Sequence, residues 1–320
     1  MNKFMSSLEK VLMPLAEKIG QNKLLIAIRD GFLVSSPLLI IGSIFLLIAN
    51  FPIPGWTEFW AQFFGPDWTS NLSHPVAATF DVMTLLAVFG IGYSYAKQTD
   101  VDPIASAAVA MVAFFILTPF SIGYTPEGAT EAVLVSGIPL GWMGSKGMFV
   151  GMITAITSVK LFGAVTKKGW VIKMPDGVPP TVAKSFAALI PSAVVMVVYF
   201  IINTLFGLTP YGSVHEFIYK FLQMPLLHLG NSLGAMVIAY IFLHFFWFFG
   251  INGGSVVGAV YNPILKILSA ENLEAFKAGV EIPNIITGQF QDMFATFGGA
   301  GSTLSLLIAM VLICKSKRIK

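Results

Sequence analysis

Residues His244, Trp247, Gly250, Asn252, Gly253 and Gly254 stand close together inside a run, Phe221 to Leu265, of 45 consecutive residues without Asp, Glu, Lys or Arg. Their types suit a neutral polar ligand. An indole ring offers a flat apolar face, an amide and an imidazole supply hydrogen-bond donors and acceptors, and clustered glycines let a ligand approach the backbone. A sugar matches that set, because its C–H face stacks on an aromatic ring while its hydroxyls need both donors and acceptors. On a helix reaching Gly250, His244 and Trp247 share one face. The same spacing also fits an interfacial tryptophan beside a histidine bonded to a neighbouring helix, and Asn252 also fits a helix cap near the membrane surface.

No phosphate-binding glycine loop with Lys-Ser or Lys-Thr, paired acidic metal cluster or His pair four apart appears, so no catalytic residue, metal or cofactor is expected. Asp81 is the likeliest buried carboxylate, with an outer-interface position as its alternative. Cys314 is the single cysteine and is expected to pack as a small apolar residue.

These residues need a membrane scaffold. The chain has 320 residues, of which 56% are hydrophobic and 11% charged, with a mean hydropathy of +0.79. A soluble domain carries about 25% charged residues. About 20 apolar residues cross a bilayer, and the pattern predicts seven helices near residues 26–50, 77–96, 103–121, 147–165, 184–207, 233–250 and 294–314. The fold class is therefore all-α, a polytopic transmembrane helical bundle, with re-entrant or broken helices in the C-terminal half where the glycine clusters fall. A net charge of +3 reflects topology, and nucleic-acid binding is not expected.

Three domains are expected. Residues 1–25 carry Phe4, Leu8, Val11, Leu12, Leu15 and Ile19 at helical spacing, as in an amphipathic helix lying in the interface against membrane lipid. Residues 26–208 form a first transmembrane domain with a connector at 166–182, and 209–320 a second. Lysines 3, 10, 18, 23, 97, 160, 167, 168 and 173 with Arg29 place the N-terminus and the connector in the cytoplasm. The loops at 51–75 and 121–145 lack Lys and Arg and contain Trp56, Trp60, Trp68 and Tyr124, so they read as external. Seven crossings would then leave the basic tail, Lys315 to Lys320, outside. An additional crossing within 209–290 would restore it to the cytoplasmic side.

Ile172-Lys-Met-Pro-Asp-Gly-Val-Pro-Pro180, the following Ser185-Phe-Ala-Ala-Leu-Ile-Pro191, and Trp247-Phe-Phe-Gly-Ile-Asn-Gly253 with Asn262-Pro263 closely resemble the lactose/cellobiose/diacetylchitobiose IIC permeases of the bacterial phosphotransferase system. The resemblance covers essentially the whole chain. It implies a sugar-transporting subunit of the bacterial cytoplasmic membrane, a homodimer formed through the N-terminal helices, and a C-terminal sugar-binding region with re-entrant hairpins. Cytoplasmic IIA and IIB proteins are the implied partners, IIB phosphorylating a cellobiose- or diacetylchitobiose-type disaccharide as it enters, so that phosphoryl chemistry stays off this subunit.

Trp247, Asn252, His244, Gly250 and Gly253 are the expected sugar-site residues. Where the family pattern has Gly-Ile-His-Gly, this chain has Gly250-Ile251-Asn252-Gly253, an amide in place of an imidazole. Family members also continue past the position of Lys320 through a second hairpin whose Asn-Glu-Pro glutamate contacts sugar, so only part of the sugar cage is expected here. Two alternatives stand beside the permease: a truncated, transport-incompetent membrane interaction protein, and a transporter releasing unmodified sugar.

Overall fold

The computed structural model describes residues 14, 18, 21–126, 131, 133–248, 252–296, 307, 308 and 310–312. Described residues are almost entirely helical. Tertiary contacts divide the chain into two units, residues 30–223 and residues 1–29 with 224–320.

The first unit is built on α1 (Lys23–Ala49) from Asp30 onward, α2 (Trp56–Phe64), α3 (Trp68–Val76), α4 (Met83–Gln98) and α5 (Pro103–Leu117). A two-stranded hairpin follows, β1 (Ser121–Tyr124) and β2 (Val133–Ser136), antiparallel with Ser121 opposite Ser136. Then come the short α6 (Leu140–Met143), α7 (Met148–Lys167), α8 (Pro180–Ala187), α9 (Leu189–Gly207) and α10 (Val214–Ile218). Among the described residues, Lys23–Ala49, Ser145–Lys167 and Pro180–Gly207 are long and apolar enough to cross a bilayer. The bent pair Trp68–Asp81 and Met83–Gln98 passes the same test as one broken span.

Helices α4, α5 and α7 form the core of this unit, where Val88, Ile91, Ala107, Ala110, Ala113, Phe114, Ala155 and Val159 are buried. Lipid tails are as apolar as leucine, so close backbone packing has to replace the hydrophobic effect between helices. Glycines provide it. A Cβ on Gly90 would sit 2.5 Å from the carbonyl oxygen of Gly31, so α1 and α4 cross with backbones touching. On α7, a Cβ on Gly151 would lie 2.8 Å from Thr84 and Val88.

Polar side chains inside the unit are partnered across elements. Thr84 Oγ1 donates to the Gly144 carbonyl at 2.6 Å, and the hydroxyls of Thr157 and Tyr199 share a 2.6 Å bond between α7 and α9. Asp102 caps α5, accepting from the Ala105 N–H at 2.8 Å with Pro103 opening the helix, as expected where an acid precedes a proline at the first turn.

Residues 209–223 belong to this first unit, whereas the sequence places the change of domain at 208/209. Burial is the reason. His215 is fully buried, its Nε2 3.0 Å from Thr118 Oγ1 and its ring 4.9 Å from that of Trp142, and Gln223 donates to the Ser145 carbonyl at 3.2 Å. The seven expected helices compare directly with what is described. Six have described counterparts, the second starting earlier, at Trp68, and the sixth described to Phe248. Of the seventh, near 294–314, most residues lie outside the description, as do Cys314 and nearly all of the expected amphipathic helix at 1–25.

The second unit holds α11 (Met224–Gly230), α12 (Leu233–Phe248), α13 (Gly253–Lys277) and the short α14 (Gly288–Phe290), which runs into a π-helical turn, Gln291–Ala295. Helix α13 is absent from the seven. Its Lys266, Glu271, Glu274 and Lys277 and its internal Pro263 break the apolar pattern by which a span is read.

Candidate functional site

The second unit begins with a sharp break. Helices α11 and α12 are separated by Asn231 and Ser232, and Ser232 Oγ caps α12 by accepting from the Ala235 N–H at 3.1 Å. The break is pinned from α13 and from the loop after it. Tyr261 donates its hydroxyl to the Gly230 carbonyl at 3.0 Å, and Asn231 Nδ2 donates to Asn284 Oδ1 at 2.7 Å.

Asn284, buried in the 279–287 loop, is a hub. Its backbone N–H donates to Asn272 Oδ1 at 2.9 Å, its carbonyl accepts from Asn272 Nδ2 at 2.7 Å, and its own Nδ2 donates to Glu271 Oε2 at 3.0 Å. The loop is thereby fastened to α13. Further along, Ser269 Oγ donates to Gln289 Oε1 at 2.8 Å and accepts from the Gly288 N–H at 3.1 Å, which fixes α14.

From that anchored start, α12 presents Tyr240, His244 and Trp247 along one stripe, as spacings of four and three require. The rings of Tyr240 and His244 meet edge to face at 6.0 Å. Trp247 is 39% exposed at the end of the helix. Helix α13 returns along α12: Gly253 lies at Leu243 and Trp247, while Tyr261 reaches back to Gly230. Gly253 is buried, and a Cβ there would overlap the Leu243 carbonyl and stand 3.0 Å from Trp247 Cδ1. Only glycine fits this return. Asn252 is exposed at the mouth of α13, where its carbonyl accepts the Val256 N–H at 3.2 Å and opens the helix. Gly250 lies outside the described residues.

The structure thus brings Trp247, Gly253 and Asn252 to one end of the α12–α13 pair, with His244 one turn below Trp247. Beneath them is a cavity of ≈ 180 Å³ lined by Tyr240, Tyr261, Asn262, Gln291 and Thr296, with Gly254 and Gly258 leaving room. None of Trp247, Asn252, His244 and Gly253, the expected residues that are described, lines it. Its wall combines an apolar part, including Leu243 and Val257, with an amide from α13, an amide from the π-helical turn, the Thr296 hydroxyl just past that turn, and two phenols. At Gly258 a Cβ would come within 2.8 Å of Asn262 Nδ2, so glycine there keeps the Asn262 amide in place. The volume falls below the roughly 300–1,000 Å³ of sites that bury whole drug-sized ligands, so the described walls enclose a part of a ligand of that size. No group of three His, Cys, Asp or Glu able to hold a metal ion occurs among the described residues.

Tyr240 and Tyr261 escaped the sequence reading, although Tyr240 stands one turn before His244 and shares its face. Asn262 and Gln291 are visible there only as scattered polar residues. It takes the fold-back at Gly253 to bring the first of them opposite α12.

Comparison with known proteins agrees with this architecture. The family model described as "Phosphotransferase system, EIIC" matches residues 29–320. The cellobiose-specific EIIC component of Geobacillus stearothermophilus is 43% identical over 323 residues, covering 100% of this chain and 72% of that protein. The lichenan permease IIC component of Bacillus subtilis is 43% identical over 321 residues, 100% of this chain and 71% of the relative. Among solved structures, the transporter ChbC, the IIC component from the N,N'-diacetylchitobiose-specific phosphotransferase system, superposes with a TM-score of 0.91 at 46% identity, over 98% of this chain and 72% of that one.

Proposed function

The chain belongs to the phosphotransferase system EIIC family, and we propose that it carries a β-linked disaccharide of the cellobiose or diacetylchitobiose type across the membrane for phosphorylation by its IIB partner. It is a multi-pass membrane permease subunit that translocates a disaccharide and works with cytoplasmic proteins of the same system. The observation that carries the choice of sugar is the combined likeness to cellobiose- and diacetylchitobiose-specific IIC proteins at more than 40% identity over essentially the whole chain.

In this reading Trp247 stacks on the apolar face of one sugar ring, and Asn252 and His244 bond its hydroxyls. Gly253 and Gly250 allow the chain to turn close to the ligand, and the amides and phenols of the cavity beneath take hydroxyls from the same ring. An indole face and a neutral amide suit an uncharged carbohydrate, since neither imposes the desolvation cost of a buried ion. The N-terminus faces the cytoplasm. The protein is a homodimer through its N-terminal helices, and the sugar-binding unit moves as a rigid body. Phosphoryl transfer is performed by IIB, so the subunit itself contributes binding and passage.

Equilibrium binding to the purified, detergent-solubilised protein tests this reading. Cellobiose or diacetylchitobiose should bind saturably and lactose more weakly. Saturable binding of none of the three would contradict a sugar site in this chain.

A further inference from the structure

Within the unit of residues 30–223, the end bearing the lysines holds an open groove of ≈ 490 Å³. Lys97, at the end of α4, and Lys184, on α8, stand on its rim, and Phe162 with Ala187 and Ala188 supplies an apolar floor. Both lysines are exposed. Neither forms an ion pair among the described residues; the Lys97 ammonium lies 5.7 Å over the ring of Tyr93. The two acids on the groove, Asp100 and Asp102, balance the two lysines in formal charge, and Asp102 is held at the start of α5 by its cap bond to the Ala105 N–H. Lys167 adds positive charge close by, where its ammonium donates to the Thr99 carbonyl at 3.1 Å.

The surroundings of the groove are apolar. Ile104 is 70% exposed, Leu189 52% and Phe186 39%, each adjoining a residue of the groove wall. Past the end of α7, the Lys168 ammonium sits 5.7 Å over the ring of the exposed Trp170. A tryptophan and lysines at the ends of apolar helices mark the boundary between hydrocarbon and water. A ligand satisfying both halves of this environment presents an anion to Lys97 and Lys184 and hydrocarbon to Ile104, Phe186 and Leu189.

We propose that this groove binds the phosphate headgroup of an anionic phospholipid, with Lys97 and Lys184 as its charge partners and the acyl chains lying along Ile104 and Leu189. Basic pockets between helices at the membrane surface recognise such headgroups because the phosphate charge is only partly screened there. The groove belongs to one unit and the sugar residues to the other, and its test is independent of which sugar the protein carries.

Thermal unfolding of the purified full chain in a zwitterionic detergent, titrated with phosphatidylglycerol or phosphatidylcholine, provides the measurement. Phosphatidylglycerol should protect at a tenfold lower concentration than phosphatidylcholine. The Lys97→Gln/Lys184→Gln protein should unfold at the parent's temperature without lipid and lose that preference, while Lys97→Arg/Lys184→Arg keeps it. Equal protection by the two lipids in the parent, or an undiminished preference in the glutamine variant, would overturn the proposal. Equal protection by inorganic phosphate alone would also overturn it, assigning the groove to a free anion.

Discussion

Three neighbouring residues carry the sugar reading, and each has a separable role. Trp247 gives up an indole face to the ligand, so Trp247→Ala should weaken cellobiose binding about tenfold, equivalent to ~1.4 kcal/mol, while leaving thermal unfolding near that of the parent because the side chain is already 39% exposed. Asn252→Ala should weaken binding to a similar degree. Asn252→His should recover it, since an imidazole again offers a donor and an acceptor at the same place. Gly253→Ala belongs to a different class. Its Cβ collides with the Leu243 carbonyl and crowds the Trp247 ring, so it should lose both stability, by about 1–3 kcal/mol as in overpacked cores, and binding. Unchanged affinity in Trp247→Ala would remove the stacking role. Trp247, Asn252 and Gly253 stand out in the sequence because indole, amide and glycine are unusual together in an apolar run. Tyr240, Tyr261 and Gln291 do not, because a phenol or an amide on a helix carries no message until a partner helix returns past it.

At the scale of elements, the position of α12 depends on a few polar contacts at its start. Asn284→Ala removes the partner of Asn231 and both contacts of Asn284 Nδ2 with Glu271 and Leu268, leaving semi-buried groups unmatched. A loss of about 2–3 kcal/mol is expected on the scale of unsatisfied buried polar groups. Tyr261→Phe removes one bond, to Gly230, and should cost about 1 kcal/mol. Both are checked by chemical or thermal unfolding in detergent. In the other unit, Gly90→Ala forces α4 away from α1 at the Gly31 crossing and should lower the unfolding temperature; a neutral result would mean that the two helices separate freely. Helices α1, α5, α7 and α9 were readable because long apolar runs leave a chain few alternatives in lipid. Helix α13 was not, because Lys266 and Glu271 look like loop residues until the Asn272–Asn284 network folds a polar loop back onto that face. The β1–β2 hairpin escaped for another reason: both strands are four residues long and fully exposed, so they carry no alternation to detect.

For the whole molecule, the long apolar helices use their surface in two ways. The central α7 is largely enclosed by its neighbours, whereas α1 and α9 expose most of theirs, including Leu33, Val34, Leu38, Ile41, Val197 and Phe200. Such surface needs lipid or another copy of the chain. If the N-terminal helices form the homodimer interface, a cysteine at Ile41 in a Cys314→Ser background should cross-link two chains in native membranes, and one at Phe200 should cross-link less. The central claim is group translocation of a β-linked disaccharide, and it is tested most directly in sealed vesicles containing this protein, loaded with IIA, IIB and a phosphoryl donor, and given labelled cellobiose outside. Phosphorylated cellobiose should accumulate inside, and accumulation should stop when IIB is omitted. Free cellobiose reaching the interior without phosphorylation, at the same rate with or without IIB, would contradict the claim.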